Sequence, residues 1–287
     1  MPKPNFFIVG APRCATTTMY TYLKQHPDIF LSLLKEPIHF GSDLTRQPLS
    51  VGDAAEYMSL FVAAGGARVI GEGSVFYILS KRAPDELKAF SPSSRVLVML
   101  RSPVDMMRSL HALYVRTGNE DTDDFAAAVD AEPARARGER LPARCYFPEG
   151  LQYRAAARYA EPVERFVRAF GRERVHVLIF DDLVRDAARE HRRVLEFLGV
   201  DPSAEVELDV DKATDRIRGV VLRQMRAASP SIRRKLKTGR DAHRGPGTRA
   251  VTPDLRARLQ AELLPDVERL SALLDRDLTH WCRSASP

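Results

Sequence analysis

Short apolar runs alternate along the chain with longer stretches in which apolar side chains recur every three or four positions. Apolar runs of strand length lie at residues 6–9, 69–71, 96–100 and 175–180. Helical spacing marks residues 17–25, 103–114, 152–170 and 183–198. Strands that are apolar on both faces and separated by helices are typical of a parallel sheet covered on both sides. The pattern therefore predicts an α/β fold with a central parallel sheet flanked by helices.

Two long stretches interrupt this alternation. Residues 118–150 mix acidic and basic side chains with three prolines, and one short helix is predicted near residues 125–129. Residues 209–249 contain twelve Lys or Arg against four Asp. Long irregular segments in a compact domain are usually functional loops or disordered segments. We predict a single domain over residues 1–287, with lid or substrate loops at 118–150 and 209–249 and a last helix over 253–281.

The composition is that of an ordinary soluble globular protein with an excess of positive charge. Apolar residues make up 44% of the chain and charged residues 29%, with a formal net charge of +6. This excess suggests an anionic ligand or surface partner. Cys14, Cys145 and Cys282 form no CxxC pair, so neither a disulfide framework nor a zinc site is encoded, and a cytoplasmic location is expected. We recognise no signal-peptide core or bilayer-spanning segment and expect no membrane insertion.

The first apolar run leads into a sequence with the outline of a phosphate-binding loop, VGAPRCATTT. A nucleotide-triphosphatase loop reads GxxxxGK[ST], in which lysine reaches the outer phosphates and the hydroxyl holds magnesium. Here Gly10 is followed after four residues by Ala15 and Thr16, so the second glycine and the lysine are both replaced. Amides at a helix N-terminus can still hold a phosphate, with hydroxyls of the threonines added. The loop therefore predicts an anion site without the lysine of a triphosphatase.

The strand predicted at residues 96–100 supports the same interpretation. A strand that holds magnesium in nucleotide-triphosphatases ends in an acid, whereas this one is followed by Arg101. Arg13 is the cation within the opening loop. The two arginines predict a site for fixed anions that is neutralised by arginine, with no metal.

Several motifs together resemble the sulfotransferases that use 3'-phosphoadenosine 5'-phosphosulfate (PAPS), in particular the bacterial and glycan-type branch. VGAPRCATT is similar to the 5'-phosphosulfate loop of that family, and RVLVMLRSPVDMMRSLHALY to its 3'-phosphate motif, in which a serine follows eight residues after an arginine. KEPIHF, GEGSVFYIL and FGRERVHVLIFDDLVRD resemble further segments of the same branch. The resemblance covers most of the chain and implies the P-loop-like sulfotransferase fold.

The resemblance implies a nucleotide site with PAPS as co-substrate. The loop would bind the 5'-phosphate and the sulfuryl group, and Arg101 with Ser109 would hold the 3'-phosphate. A late basic segment, KLKTGRDAHRG, matches loosely a further 3'-phosphate contact. Ala15 departs from the usual glycine. The implied nucleotide-binding residues are Arg13, Cys14, Ala15, Thr16, Thr17, Thr18, Arg101, Ser109, Lys237, Gly239 and Arg240. Cys14 also has a structural interpretation, as a small residue that suits the backbone of the loop rather than as a nucleophile.

The resemblance also implies how sulfuryl transfer is catalysed. Glu36 matches the general base of the glycan-type branch, which takes the acceptor hydroxyl proton, and Arg13 would stabilise charge on the leaving oxygen. Transfer through a loose transition state depends mostly on positioning and cationic stabilisation. A sulfuryl group carries one negative charge fewer than a terminal phosphate, which lessens the need for magnesium. The product would be adenosine 3',5'-bisphosphate, with EC class 2.8.2 activity.

The acceptor side of the site is less defined. We predict acceptor contacts from His39, Phe40, Glu72, Tyr77 and Tyr153. Four of them have an alternative: His39 and Glu72 as structural groups that brace the site, and the two tyrosines as core aromatics with a hydrogen bond. The expected acceptor is a hydroxyl of a small molecule, glycan or secondary metabolite, and a homodimer remains open.

Two other functions compete with sulfuryl transfer. A P-loop-type nucleotide kinase with a degenerate loop would need a lysine and a magnesium-binding acid, which the sequence lacks at the expected positions. A basic nucleic-acid-binding protein would use the positive stretch at residues 216–249. Neither explains the two nucleotide motifs in their order, so we expect no nucleic-acid partner.

Overall fold

The computed structural model of the protein describes residues 2–238 and 251–283. Its centre is a five-stranded parallel sheet with strand order β2-β3-β1-β4-β5. The strands are β1 (Phe6–Gly10), β2 (Ile29–Leu31), β3 (Val69–Gly73), β4 (Arg95–Leu100) and β5 (Val175–Ile179). The predicted α/β architecture with a parallel sheet is confirmed.

The sheet forms the core because its strands are apolar on both faces. Every residue of β1 is buried, and Phe7 lies opposite Glu72 of β3 on one side and Val96 of β4 on the other. Parallel strands place their carboxyl ends at the same edge of a sheet, which is where α/β proteins bind ligands. The ends of β1 and β3 at this edge carry the residues of the candidate site.

Fourteen α-helices are present in the described part of the chain. They are α1 (Thr16–Leu23), α2 (Ala54–Ser59), α3 (Ala83–Phe90), α4 (Pro103–Thr117), α5 (Phe125–Asp130), α6 (Glu132–Ala136), α7 (Tyr153–Ala157), α8 (Ala160–Phe170), α9 (Phe180–Arg185), α10 (Ala187–Leu198), α11 (Val210–Arg216), α12 (Arg218–Ala227), α13 (Pro230–Thr238) and α14 (Pro253–Leu274). A 3₁₀ helix, Val75–Leu79, follows β3 directly. This turn forms one wall of the site described below.

The boundaries differ from the predicted ones where local caps intervene. The helix predicted at residues 183–198 is two helices, because the Asp186 carboxylate accepts a hydrogen bond from the Arg189 amide and starts α10 anew. Gly199, in the left-handed conformation, ends α10 as predicted. The helix predicted over 152–170 is likewise divided, into α7 and α8.

The described residues form two compact units. One contains residues 2–43, 49–100 and 166–238, with all five strands, and the other contains residues 44–48, 101–165 and 251–283. The stretch predicted as a loop at 209–249 is instead helical at α11, α12 and α13 up to residue 238, and the rest of it lies outside the described residues. The single-domain organisation and the lid roles stay predictions.

Candidate active site

The loop between β1 and α1 begins at Gly10, where other parts of the chain come very close. A Cβ atom on Gly10 would lie 2.6 Å from Cγ2 of Ile78 and 2.9 Å from the carbonyl oxygen of Val75. The next amide, that of Ala11, donates a hydrogen bond of 2.7 Å to the Met99 carbonyl in β4. Glycine is therefore required at this position, and the loop is anchored to β4 and to the 3₁₀ turn.

The loop reaches α1 through two residues with left-handed backbone conformations. Arg13 has a φ of 62° and Ala15 a φ of 61°. This conformation costs a non-glycine residue about 1–2 kcal/mol, which is the physical reason for glycine at position 15 in a loop of this kind. Ala15 keeps the same turn, with its methyl group half-buried, and is the residue that precedes the first turn of α1.

The N-terminus of α1 has no side-chain cap from the residue that precedes it. Ala15 makes no capping hydrogen bond, and the first turn contains no acidic residue. The first amides of a helix lack intrahelical acceptors and carry partial positive charge. The Thr16 side chain is buried, whereas that of Thr17 is exposed and that of Thr18 is half-buried. This end of α1 is suited to bind an anion.

Cys14 has a structural position within the loop. Its side chain is fully buried, and its thiol donates a hydrogen bond of 3.4 Å to the Pro12 carbonyl. A buried thiol in such a contact does not have the exposure of a reactive cysteine. The geometry favours the interpretation of Cys14 as a packing residue of the turn.

Glu36 lies at the same edge of the sheet, in the segment after β2. Its amide donates to the Gly73 carbonyl at 2.9 Å, and its Oε2 accepts a hydrogen bond of 2.8 Å from the Val75 amide. Its Oε1 accepts from Nζ of Lys35 at 2.5 Å, and about a quarter of its side chain is exposed. Val75 therefore contacts Glu36 through its amide and approaches Gly10 of the loop through its carbonyl.

His39 and Phe40 follow Glu36 and are held by aromatic neighbours. The His39 ring stacks on Tyr57 with centroids 4.2 Å apart, and its Nδ1 lies 2.7 Å from the Val51 carbonyl oxygen. Phe40 is buried and packs edge-on against Phe7 of β1. The half-buried His39 keeps access to solvent, whereas Phe40 contributes mainly to packing.

Glu72, in β3, is a carboxyl with no exposed surface. Its Oε2 accepts a hydrogen bond of 2.9 Å from the Ser74 hydroxyl. Burial raises the pKa of Glu72 to about 8, although hydrogen bonds with Ser74 and Tyr77 act in the opposite direction. Glu72 is therefore mostly protonated at neutral pH. Tyr77 is also fully buried, and its hydroxyl accepts from the amides of the segment that contains His39.

Arg101 and Ser109 belong to the other unit. Arg101 follows the last residue of β4 and precedes α4, and Ser109 lies on α4 eight residues later, about two helical turns. Both side chains are half-buried. Arg101 thus lies at the end of a strand and Ser109 on the following helix, as the motif predicts.

Tyr153, predicted to contact the acceptor, lies in a buried polar cluster of the same unit. Its hydroxyl donates a hydrogen bond of 3.0 Å to Oε2 of Glu120, which also pairs with Arg135 at 2.6 Å. Burial by itself would raise the pKa of Glu120, but hydrogen bonds and charge from Arg135 outweigh it and hold the pKa below its ordinary value. Tyr153 is fully buried, so the geometry favours its structural interpretation.

Three predicted nucleotide contacts fall at or beyond the end of α13. Lys237 belongs to this helix, and Gly239 and Arg240 lie outside the described residues. They stay predictions from the sequence.

The structure adds two residues that the sequence did not single out. Lys35 forms the ion pair with Glu36, and the Ser74 hydroxyl contacts both Glu72 and the Ile38 amide. Lys35 could have been recognised as the charged neighbour of the predicted base. Ser74 could not, because its contact with Ile38 joins residues that are 36 positions apart.

Within residues 2–238 and 251–283, no three His, Cys, Asp or Glu side chains are grouped so that they could hold a metal ion. In the same ranges, no helix is both long and apolar enough to cross a bilayer.

The parallel sheet, the loop at the end of β1 and the uncapped α1 define a P-loop-like α/β fold. Residues 3–252 match the family model described as the sulfotransferase domain. The chain therefore belongs to the sulfotransferase domain family, and the family resemblance of its motifs is confirmed.

Curated relatives bear names of glycan sulfotransferases. Human carbohydrate sulfotransferase 15 is 26% identical over 251 residues, which cover 70% of this chain and 45% of the relative. Human heparan sulfate glucosamine 3-O-sulfotransferase 6 is 26% identical over 200 residues, with coverages of 69% and 52%. The chain thus spans about half the length of the curated relatives it matches.

Solved structures show the same fold over nearly the whole chain. A sulfotransferase from Alicyclobacillus acidocaldarius is 30% identical with a TM-score of 0.78, and the match covers 99% of this chain and 100% of that one. The sulfotransferase domain from the curacin biosynthetic pathway has a TM-score of 0.51 at 14% identity, over 96% and 99% of the two chains. The second match shows the fold alone.

Proposed function

We propose that the protein transfers a sulfuryl group from PAPS to a hydroxyl acceptor and releases adenosine 3',5'-bisphosphate. One observation carries the proposal: Val75 donates its amide to the Glu36 carboxylate and brings its carbonyl against Gly10. A carboxylate with partial exposure is thereby held beside the start of an anion-binding loop. Family membership supports the reaction class.

The loop supplies the donor side of the reaction. The amides of residues 13–17, with the hydroxyls of Thr16, Thr17 and Thr18, bind the 5'-phosphate and the sulfuryl group at the uncapped end of α1. Arg13, which is exposed, stabilises the negative charge that develops on the bridging oxygen as the sulfur–oxygen bond of PAPS breaks. No step of this account needs a metal ion.

Glu36 supplies the acceptor side. The acceptor oxygen forms the new bond to sulfur, and its proton passes to the Glu36 carboxylate. The Val75 amide and Lys35 hold the two carboxylate oxygens in place. To accept the proton, one carboxylate oxygen must lose its present hydrogen-bond partner and bind the acceptor hydroxyl instead. Of the two partners, the Val75 amide belongs to the backbone, whereas the Lys35 ammonium lies on a flexible side chain. We assign Lys35 as the group that moves aside.

The 3'-phosphate is assigned to Arg101 and Ser109, with Lys237, Gly239 and Arg240 as further contacts. A phosphate at this position distinguishes PAPS from ATP-like nucleotides, and an arginine forms charge-assisted hydrogen bonds with it. The strand-end position of Arg101 and the helical position of Ser109 support the assignment.

The acceptor class proposed is a sugar or small-molecule hydroxyl. The names of the curated relatives support a carbohydrate, and His39 is the predicted acceptor residue that retains solvent access beside Glu36. Cytoplasmic location, a place in secondary metabolism and dimerisation stay predictions of the sequence.

A transfer assay tests the proposal. The protein is incubated with PAPS and a panel of hydroxyl acceptors, including desulfated glycan oligosaccharides, and the products are measured by mass. We expect one acceptor to gain the mass of a single SO3 group in the presence of EDTA. Transfer from ATP in place of PAPS, or a strict need for magnesium, would contradict the proposal and favour the kinase alternative.

A further inference from the structure

The segment that carries Glu36 has a strained backbone. Glu36 has a φ of 64° and Ile38 a φ of 42°, and neither is a glycine. Positive φ is a genuine outlier for a β-branched residue such as Ile38. Such conformations are energetically unfavourable and persist only where the surroundings fix them. The contacts that fix this segment therefore determine where the Glu36 carboxylate lies.

The contacts that the amides of this segment make come from the end of β3 and the turn that follows it. The Ile38 amide donates to the Ser74 hydroxyl at 3.0 Å. The Tyr77 hydroxyl accepts from two successive amides, that of His39 at 3.0 Å and that of Phe40 at 3.3 Å. Two side-chain hydroxyls thus hold three consecutive amides directly after the predicted base.

Glu72 is the group next to both hydroxyls. The Ser74 hydroxyl donates to its Oε2 at 2.9 Å, and Tyr77 lies close enough for each group to influence the pKa of the other. A hydroxyl has one proton to donate and two lone pairs to accept with. Because the Ser74 proton is directed to Glu72, the Ser74 oxygen presents a lone pair to the Ile38 amide.

Glu72 is not accessible to solvent. Its charge would raise the pKa of Tyr20 and of Tyr57, which are both buried, and Lys35 and Glu36 are the charged groups that influence the pKa of Glu72 itself. Its own exposed surface is zero. An acceptor molecule therefore has no direct access to Glu72, and Ser74 is the hydrogen-bonded neighbour through which Glu72 contacts the Glu36 segment.

We propose that Glu72 is a positioning residue: its carboxyl orients the Ser74 hydroxyl and lies beside that of Tyr77, and these two hydroxyls hold residues 38–40 and thereby keep Glu36 in place for proton transfer. This inference rests on the proposed role of Glu36 as the base. The first test of this inference does not depend on turnover. The positioning role of Glu72 and the role of Glu36 as the base can therefore fail separately.

Amide hydrogen exchange of residues 38–40 tests the arrangement itself. In Ser74→Ala we expect faster exchange at Ile38, and in Tyr77→Phe at His39 and Phe40, each by about tenfold as one hydrogen bond is lost. Glu72→Leu should accelerate all three amides, and Glu72→Gln, which keeps a neutral donor and acceptor, should accelerate none. Unchanged exchange in Glu72→Leu would overturn the proposal, and so would equal acceleration in Glu72→Gln.

Kinetics test the consequence for the reaction. A displacement of about 1 Å in a reacting group costs on the order of 100-fold in rate, so Glu72→Leu should lower kcat by that factor with little change in KM for PAPS. Glu72→Gln should retain near-normal kcat at neutral pH, and it should remove a fall in kcat that the unsubstituted protein shows when Glu72 ionises above about pH 8.

A matched control separates positioning from loss of stability. Glu86 also accepts from backbone amides, those of Gly41 and Ser42, which lie just beyond the segment. Glu86→Gln should leave exchange at residues 38–40 and kcat unchanged. If Glu72→Gln lost kcat 100-fold at neutral pH, or kept the alkaline fall, the neutral positioning role would be wrong.

Discussion

At the scale of single residues, two glutamates have opposite environments. Glu36 lies in the segment after β2, and Glu72 lies in the neighbouring strand β3. Glu36 is partly exposed and pairs with Lys35, whereas Glu72 is fully buried beside hydroxyl groups. Two carboxyls in such different environments are suited to different tasks. In this account Glu36 accepts the proton of the acceptor, and Glu72 fixes the backbone around Glu36.

Replacement of the predicted base separates chemistry from binding. We expect Glu36→Gln to lower kcat by about 10²- to 10⁴-fold, the contribution of a general base, with unchanged affinity for adenosine 3',5'-bisphosphate. Steady-state kinetics and calorimetry on the same preparation measure both quantities. Glu205→Gln, at an exposed position, is the matched control and should change neither. Near-normal turnover of Glu36→Gln would mean that another group is the base.

Ala15 provides a test of the loop geometry. Since its φ is 61°, Ala15→Gly should relieve left-handed strain and raise the free energy of unfolding by about 1 kcal/mol. The control is Ala112→Gly within α4, where the same substitution should lower that free energy by about 1 kcal/mol. Chemical denaturation of the two variants measures the difference. Destabilisation of similar size in both would contradict the left-handed conformation at position 15.

Residue roles could be predicted from the sequence where a local motif carries them, and not where distant residues meet. The spacing of Arg101 and Ser109 and the position of Gly10 are visible in the sequence. Positive φ at Glu36 and Ile38 is not, because it depends on Ser74 and Tyr77. Glu72 was expected near the acceptor, and only its burial in β3 indicates a different task.

At the scale of elements, the junction between β4 and α4 is the predicted 3'-phosphate site. We expect Arg101→Ala to weaken binding of adenosine 3',5'-bisphosphate by about 10- to 100-fold, since hydrogen bonds to charged groups contribute about 1.5–3 kcal/mol. Binding of adenosine 5'-phosphate, which lacks the 3'-phosphate, should be almost unaffected. Calorimetry with both nucleotides measures this selectivity.

The neighbouring Arg108 is the control for that experiment. It lies on α4 next to Ser109 and is exposed, so Arg108→Ala should leave the affinity for both nucleotides unchanged. An equal loss in the two arginine variants would indicate a general effect of positive charge instead of a specific contact at Arg101.

Elements with long periodic patterns were predictable, and short or capped ones were not. β4 and α4 match their predicted positions within a few residues. β2 has only three residues, Ile29–Leu31, and is recognised through its pairing with β3 rather than by its own pattern. The basic stretch after residue 209 is helical at α11–α13, although its charge suggested a loop, and its apolar residues Ala213, Ile217 and Ile232 are buried.

At the scale of the whole molecule, buried titratable groups predict how stability depends on pH. Glu72 has a pKa of about 8 in the folded protein against 4.5 ordinarily, so its contribution is lost as pH rises from 4.5 through 8. Burial lowers the pKa of His176 and of His191 from 6.5 to about 4. Their contribution to the free energy of unfolding is therefore lost as pH falls through that range. Each unit of pKa difference corresponds to about 1.4 kcal/mol.

These opposite contributions predict a maximum of stability near pH 6.5. Below pH 6.5, the loss of stability from the two histidines exceeds the gain from Glu72 as pH falls. Between pH 6.5 and 8, the free energy of unfolding declines because Glu72 loses its contribution. Glu72→Gln should therefore flatten the curve above pH 6.5 and steepen the decline toward acidic pH, where Glu72 no longer opposes the two histidines. Denaturant titrations across the pH range measure both curves. Parallel curves for the two proteins above pH 6.5 would contradict a protonated, buried Glu72.

The architecture of the whole chain followed from the sequence because it depends on patterns that are each local. Apolar strands alternating with helices predicted the parallel sheet, and the two motifs in order predicted the family, which the family model over residues 3–252 confirms. The acceptor could not be predicted, because its binding surface depends on side chains from segments far apart in the chain, and no single segment encodes it.

Calorimetric titration with adenosine 3',5'-bisphosphate is the most direct test of the central claim that the chain uses PAPS. In EDTA we expect binding of the bisphosphate that is about 10- to 100-fold tighter than that of ATP, because the 3'-phosphate contributes charge-assisted hydrogen bonds that ATP cannot form. Addition of magnesium should not strengthen it. Equal affinity for ATP, or no binding of the bisphosphate, would contradict the account.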